Sequence, residues 1–94
     1  AYDIPLFAKK LLLDKHIDGV IALGAIIKGE TKHDEVIAHA TAKSLTFLSL
    51  EFKKPITFGI IGPDVTYEQA LKRADEYAIR SCDTMLVLIE KLRG

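Results

Sequence analysis

Two apolar runs set the terms on which this chain can fold: "DGVIALGAII" at 18–27 and "ITFGII" at 56–61. Both are rich in β-branched residues, and neither alternates apolar with polar as a strand with one wet face would. They are expected to form strands buried on both faces, the environment of a parallel sheet. The segment between them repeats apolar residues at helical spacing, with Val36, Ile37, Ala40, Ser44, Leu45, Leu48 and Phe52 on one side, and predicts a helix over 33–53. A strand, a helix and a second strand in that order make a parallel pair with a right-handed crossover.

The flanks continue the alternation. Asp3 as N-cap and Pro5 in the first turn open a helix over 3–15. Lys53-Lys54-Pro55 ends the second helix, because proline cannot continue it and restricts the residue before it. Gly62-Pro63-Asp64 reads as a turn, and Thr66 with Gln69 fits the T-x-x-Q capping box at the head of a long third helix. The inner side of that helix is expected to carry Ala70, Leu71, Ala74, Ala78, Ser81, Cys82, Met85, Leu88, Ile89 and Leu92. Residues 1–94 thus read as a single domain of the α/β class. Two strands are few for a sheet between three helices, since an average sheet has about five or six. The expectation is that further strands lie on the N-terminal side or come from a partner chain.

Composition bears on partners. Thirteen Lys and Arg balance thirteen Asp and Glu, so no global field draws in nucleic acid or an anionic membrane surface. The single Cys82 cannot close an intrachain disulfide, and no apolar stretch is long enough to span a bilayer. A cytoplasmic location is expected.

The junction "ALGAIIKGETKHDEVIAHA" at 22–40 is the place to look for chemistry, because open α/β sheets bind ligands where a strand's carboxyl end meets the next helix. Successive amides of Gly29, Glu30 and Thr31, at the positive end of the helix dipole, suit an anion. The plainer reading is that Gly29 makes the turn and Thr31 caps the helix, with Asp34 completing a T-x-x-D box. His33 falls in the first helical turn, where the dipole disfavours an imidazolium and suits a neutral proton acceptor; a solvated polar residue is the plainer alternative. Arg73 is either a solvated cation or a bidentate phosphate clamp. Phe58 beside Gly59 is most simply core, and otherwise the wall of a flat heterocycle. His16, His39 and His33 lack metal-ligand spacing, so no metal site is expected. Cys82 reads as a buried structural thiol.

The segments "AYDIPLFAKKLL", "DGVIALGAIIKGETKHDEV" and "KPITFGIIGPDVTYEQALKRADEYA" resemble the 6,7-dimethyl-8-ribityllumazine synthases, archaeal-type members above all. G-x-T-x-H after an apolar strand, Phe58-Gly59, and E-Q-A-x-x-R are the specific parts. The resemblance implies a flavodoxin-like three-layer α/β/α sandwich with a parallel sheet, whose first strand-helix-strand part would lie before Ala1. It implies a homo-oligomer, a pentamer and sometimes a sixty-subunit icosahedral shell, with active sites at subunit interfaces. It also implies small-molecule substrates, 5-amino-6-(D-ribitylamino)uracil and 3,4-dihydroxy-2-butanone 4-phosphate, condensed without metal or organic cofactor. By position, His33 would transfer protons and Gly29, Glu30 and Thr31 would line the phosphate site, with Arg73 from a neighbouring subunit. Ala1, Tyr2 and Asp3 would meet the ribityl chain and pyrimidine, Ala25, Ile26 and Ile27 the pyrimidine, and Phe58 would close the site from the adjacent subunit. Glu30 is expected to point its side chain outward. Tyr77 stands where many bacterial members have lysine, with Arg80 as an electrostatic substitute, and Asp34 stands where many have an aromatic. The alternative function is a truncated or engineered, catalytically inactive scaffold that still assembles.

Overall fold

A computed structural model describes all residues from Ala1 to Gly94. The elements are α1 (Ile4–Leu12), β1 (Val20–Ile27), α2 (His33–Phe52), β2 (Ile56–Val65) and α3 (Tyr67–Arg93). β1 and β2 pair in parallel, in a register that sets Val20 against Ile56 and Ala25 against Ile61. Helices α1 and α2 lie together on one face, and α3 lies on the other. The result is the three-layer α/β/α arrangement expected of a flavodoxin-like domain.

Burial follows from those layers. Val20, Ala22, Ile26 and Ile60 point toward α1 and α2, where they meet Ala8, Leu12, Ala38 and Leu45 in the larger core. Ile61, Val65 and Ala70 form a smaller core beneath α3. β1 therefore does not bury both faces as its composition predicts. α3 lies mainly along β2, so Ile21, Leu23 and Ile27 stay partly exposed, and Leu23 and Ile27 border an apolar groove of about 510 Å³ beside α3. In α2 the buried stripe is Asp34, Ala38, Thr41 and Leu45, with Ile37, Leu48 and Phe52 half-buried, while Val36 is exposed. Of the inner positions expected in α3, Ala70, Ser81 and Met85 are buried, but Leu71 and Leu92 are exposed. Cys82 is exposed too, so it is no buried structural thiol. A 27-residue helix is about 40 Å long and sets the 44 Å long axis of the molecule, overrunning the sheet that would cover it.

Local chemistry fixes the ends. α1 is shorter than expected, and the Lys54 ammonium donates to the carbonyls of Leu12 and Asp14, both at 3.0 Å, so a side chain from beyond α2 satisfies the end of α1. Asp3 holds the N-cap position of α1 but makes no side-chain capping bond. The capping box of α3 forms fully, with Gln69 N–H donating to Thr66 Oγ1 at 3.2 Å and Thr66 N–H to Gln69 Oε1 at 2.9 Å. β2 runs past the expected turn. Residues 62–64, which include a cis Gly62-Pro63 bond, form a bulge inside the strand, and the register slips so that Ile27 pairs with Val65.

At Gly59 α3 sits close against the sheet. A Cβ there would overlap Ser81 Oγ and approach Leu23 Cδ2 to 2.6 Å. Gly59→Ala is expected to destabilise the fold by about 1–3 kcal/mol through overpacking. Ser81→Ala on that background removes the overlapped oxygen and should recover part of the loss, as read by thermal unfolding of the single and double variants.

Candidate functional site

At the carboxyl end of β1 the chain leaves the sheet at Lys28 and enters α2 at His33. The intervening loop opens on a cavity of about 420 Å³, lined by Ala1, Ala25, Ile26, Ile27, Gly29, Thr31 and His33 together with Asp34 and Ile37. Gly29 does not adopt a positive φ, and a Cβ placed on it would meet nothing within 4 Å. A turn is thus not what glycine serves here; the missing side chain leaves open space beside the loop amides.

The first turn of α2 is not capped as the T-x-x-D pattern predicts. Lys32 is the N-cap residue and makes no side-chain capping bond. Thr31 Oγ1 accepts the His33 N–H at 3.3 Å, one residue earlier than a capping box requires. Because the hydroxyl is used as an acceptor, its own proton is left to donate. Asp34 reaches elsewhere. Its carboxylate accepts the backbone N–H of Asp64 at 3.0 Å, on the bulge of β2, and the residue is only 7% exposed. Asp64 in turn pairs with Lys28 at 3.1 Å, and Lys28 N–H donates to the Val65 carbonyl at 2.8 Å. Sequence reasoning missed this link because its partners are 30 positions apart; an acid in a first helical turn was the only signal, and a local cap was its simpler explanation.

The other candidates divide into two groups. Glu30 is exposed and lies outside the cavity lining, in keeping with an outward side chain. Ala1 reaches the cavity, and its carbonyl accepts from Ile4 N–H at 3.1 Å. Tyr2 is 70% exposed, and Asp3 lines a neighbouring groove between α1 and β1. Phe58 is 42% exposed, not core, and lies level with Ala22 in the strand register. That is three residues, or about 10 Å, before Ala25. It shares the α2-facing side of β2 with Ile60 and borders a groove with Leu45, Thr46, Ser49 and Leu50 of α2, and at the sheet edge it also reaches a polar cleft with Thr57, Tyr77, Arg80 and Ser81. Arg73 is exposed on α3, across the sheet from α2, and Arg80 makes a loose surface pair with Glu76 at 3.6 Å. The chain thus brings His33, Thr31 and Gly29 together with the β1 terminus, and holds Phe58 and Arg73 apart from them. No helix is long and apolar enough to cross a membrane.

A parallel α/β/α domain with a cavity at the strand-to-helix junction is the kind of protein that binds a small molecule at the carboxyl end of its sheet. The family model for 6,7-dimethyl-8-ribityllumazine synthase matches residues 1–93, and the chain belongs to that family. It is 50% identical over 93 residues to the 6,7-dimethyl-8-ribityllumazine synthase of Sulfolobus acidocaldarius, covering 99% of this chain and 59% of that protein. Similar matches are those of Saccharolobus islandicus, 51% identical over 98% of this chain and 60% of the relative, and Metallosphaera sedula, 50% identical over 99% and 62%. The chain spans about three-fifths of the length of the relatives it matches.

Gly62 holds the floor of the cavity in place. It has φ of 110°, and a Cβ on it would come within 2.5 Å of the Ile26 carbonyl oxygen. Gly62→Ala should cost about 1–3 kcal/mol, since a positive φ is strained for any residue with a Cβ. Chemical denaturation measures the loss, and the amide resonances of Ile26, Ile27 and Lys28 should move with it.

Proposed function

We propose that the intact protein is a transferase of riboflavin biosynthesis that forms 6,7-dimethyl-8-ribityllumazine from 5-amino-6-(D-ribitylamino)uracil and 3,4-dihydroxy-2-butanone 4-phosphate, releasing phosphate and water. One observation carries the reading: Gly29, Thr31 and His33 converge on one cavity at the tip of a buried strand, in a chain of this family. The phosphate would sit against the amides of the 29–33 loop, where the helix dipole is positive and Thr31 has a free hydroxyl proton to give. Ala25, Ile26 and Ile27 would hold the pyrimidine. The amine of one substrate attacks the ketone of the other, phosphate leaves by elimination, and the ring closes. Each step moves a proton, and His33 stands beside the phosphate loop to accept and return it. Holding two substrates in one cavity supplies much of the remaining rate.

The reading includes a second subunit. Phe58 and Arg73 lie too far from the cavity to complete it within one chain, while another copy could present them there. Apolar surface is available for assembly: Leu6 is 72% exposed, Phe47 61% and Leu50 70%. A pentamer, closing further into a sixty-subunit shell, and a cytoplasmic setting belong to this same proposal.

Following lumazine fluorescence with both substrates tests it. His33→Ala should lower kcat by about ten-fold or more. Arg73→Ala should mainly raise KM for the phosphate substrate, by about 10–100-fold for a lost charge-assisted contact. Mixed oligomers of these two variants should regain up to about a quarter of the intact sites if each site draws on two subunits. Unchanged kinetics in both single variants would remove the roles, and no recovery on mixing would remove the shared site.

A further inference from the structure

We infer that Asp34 is a positioning residue, fastening the end of β2 to the first turn of α2 so that the phosphate loop is held at both of its ends by one segment. Lys28 leaves β1 with its N–H on the Val65 carbonyl and its ammonium on the Asp64 carboxylate. Asp34, just after His33, returns to the same segment through the Asp64 N–H. The loop 29–33 is therefore strung between two anchors on neighbouring residues of β2. Within the loop the only further restraint on a backbone N–H is Thr31 Oγ1 on His33. Where His33 stands relative to the cavity floor is thus set by the Asp34–Asp64 bond. Asp64 itself has φ of 64°, a conformation few residues hold without a reason, and its amide is oriented toward the buried carboxylate.

An acid in this place has a cost that strengthens the inference. Asp34 lines the cavity proposed for a phosphate, and a free carboxylate there would repel the ligand. Its engagement by a backbone N–H gives that charge a fixed partner. The functional weight of the assignment rests on the proposed phosphate site, but the coupling between Asp64 and the loop can be measured without it.

The first measurement needs no variant. In the intact protein the Asp64 amide should exchange with solvent at least about ten-fold slower than the amides of Glu30 and Lys32, which make no hydrogen bond here. Asp34→Ala should abolish that protection, shift the amide resonances of Gly29 to His33, and weaken inorganic phosphate binding by about ten-fold. Asp34→Asn keeps an oxygen for the Asp64 N–H and should restore the protection and the loop resonances, a rescue that would not occur if loss of charge alone caused the changes. A rapidly exchanging Asp64 amide in the unaltered protein overturns the assignment, as does an Asp34→Ala spectrum whose changes stop at residues 62–65. Should Asp34→Ala fail to fold, the exchange rate of Asp64 in the unaltered protein and in Asp34→Asn decides the matter. Absence of lumazine formation with the amide coupling intact would remove the proposed reaction and leave the positioning role standing.

Discussion

The close approach of Gly62 to the Ile26 carbonyl is the contact on which the rest of the site is built. Two parallel strands normally end in register, and their following segments diverge. Here the bulge at 62–64 adds length to β2 and lays it across the tip of β1, so that Ile27 meets Val65 instead of the residue two beyond Ile61. That gives Lys28 and Asp34 a common anchor on Asp64 and Val65. The loop between them can then stay short of internal hydrogen bonds without becoming loose. A ligand site with free donors needs this kind of outside support, because donors satisfied by the loop itself would have nothing left to offer.

The same economy explains the uneven burial of the sheet. α3 follows β2 and gains a close seat at Gly59, where the absence of a side chain lets Ser81 come close. Having chosen β2, it cannot also cover β1, and Leu23 and Ile27 face a groove instead of a core. Exposed apolar surface of this kind marks a place where another element or chain docks.

Much of this was legible in the residues. The order of the elements, the parallel pairing and the capping box at Thr66 and Gln69 all follow from local patterns of spacing and cap chemistry, which need no knowledge of distant partners. The cavity at the β1–α2 junction was legible for the same reason: Gly29, Thr31 and His33 are neighbours in sequence. What was not legible depends on which layer covers which strand. The apolar run of β1 looks the same whether α3 lies over it or beside it, and Cys82 and Leu71 sit on a helix whose covered stripe is narrower than its apolar one. The turn expected at Gly62-Pro63-Asp64 failed because a bulge and a turn use the same residues, and only pairing with Ile27 tells them apart. Asp34 was misread for a related reason: a first-turn acid has a ready local use, and the competing partner lay in another strand.

Separation of the candidate residues carries the last step. Strand register fixes Phe58 level with Ala22, and no rotation of its side chain recovers the three residues between that level and Ala25. Arg73 is divided from α2 by the sheet itself. A chain that used all of these groups in one reaction could do so only by lending Phe58 and Arg73 outward while receiving the same pair from a neighbour. Each copy would then carry the halves of two different sites on its surface, which is a head-to-tail relation between copies. On that reading catalysis and assembly are one requirement, since the apolar surface that drives association also brings the missing cation to the phosphate loop.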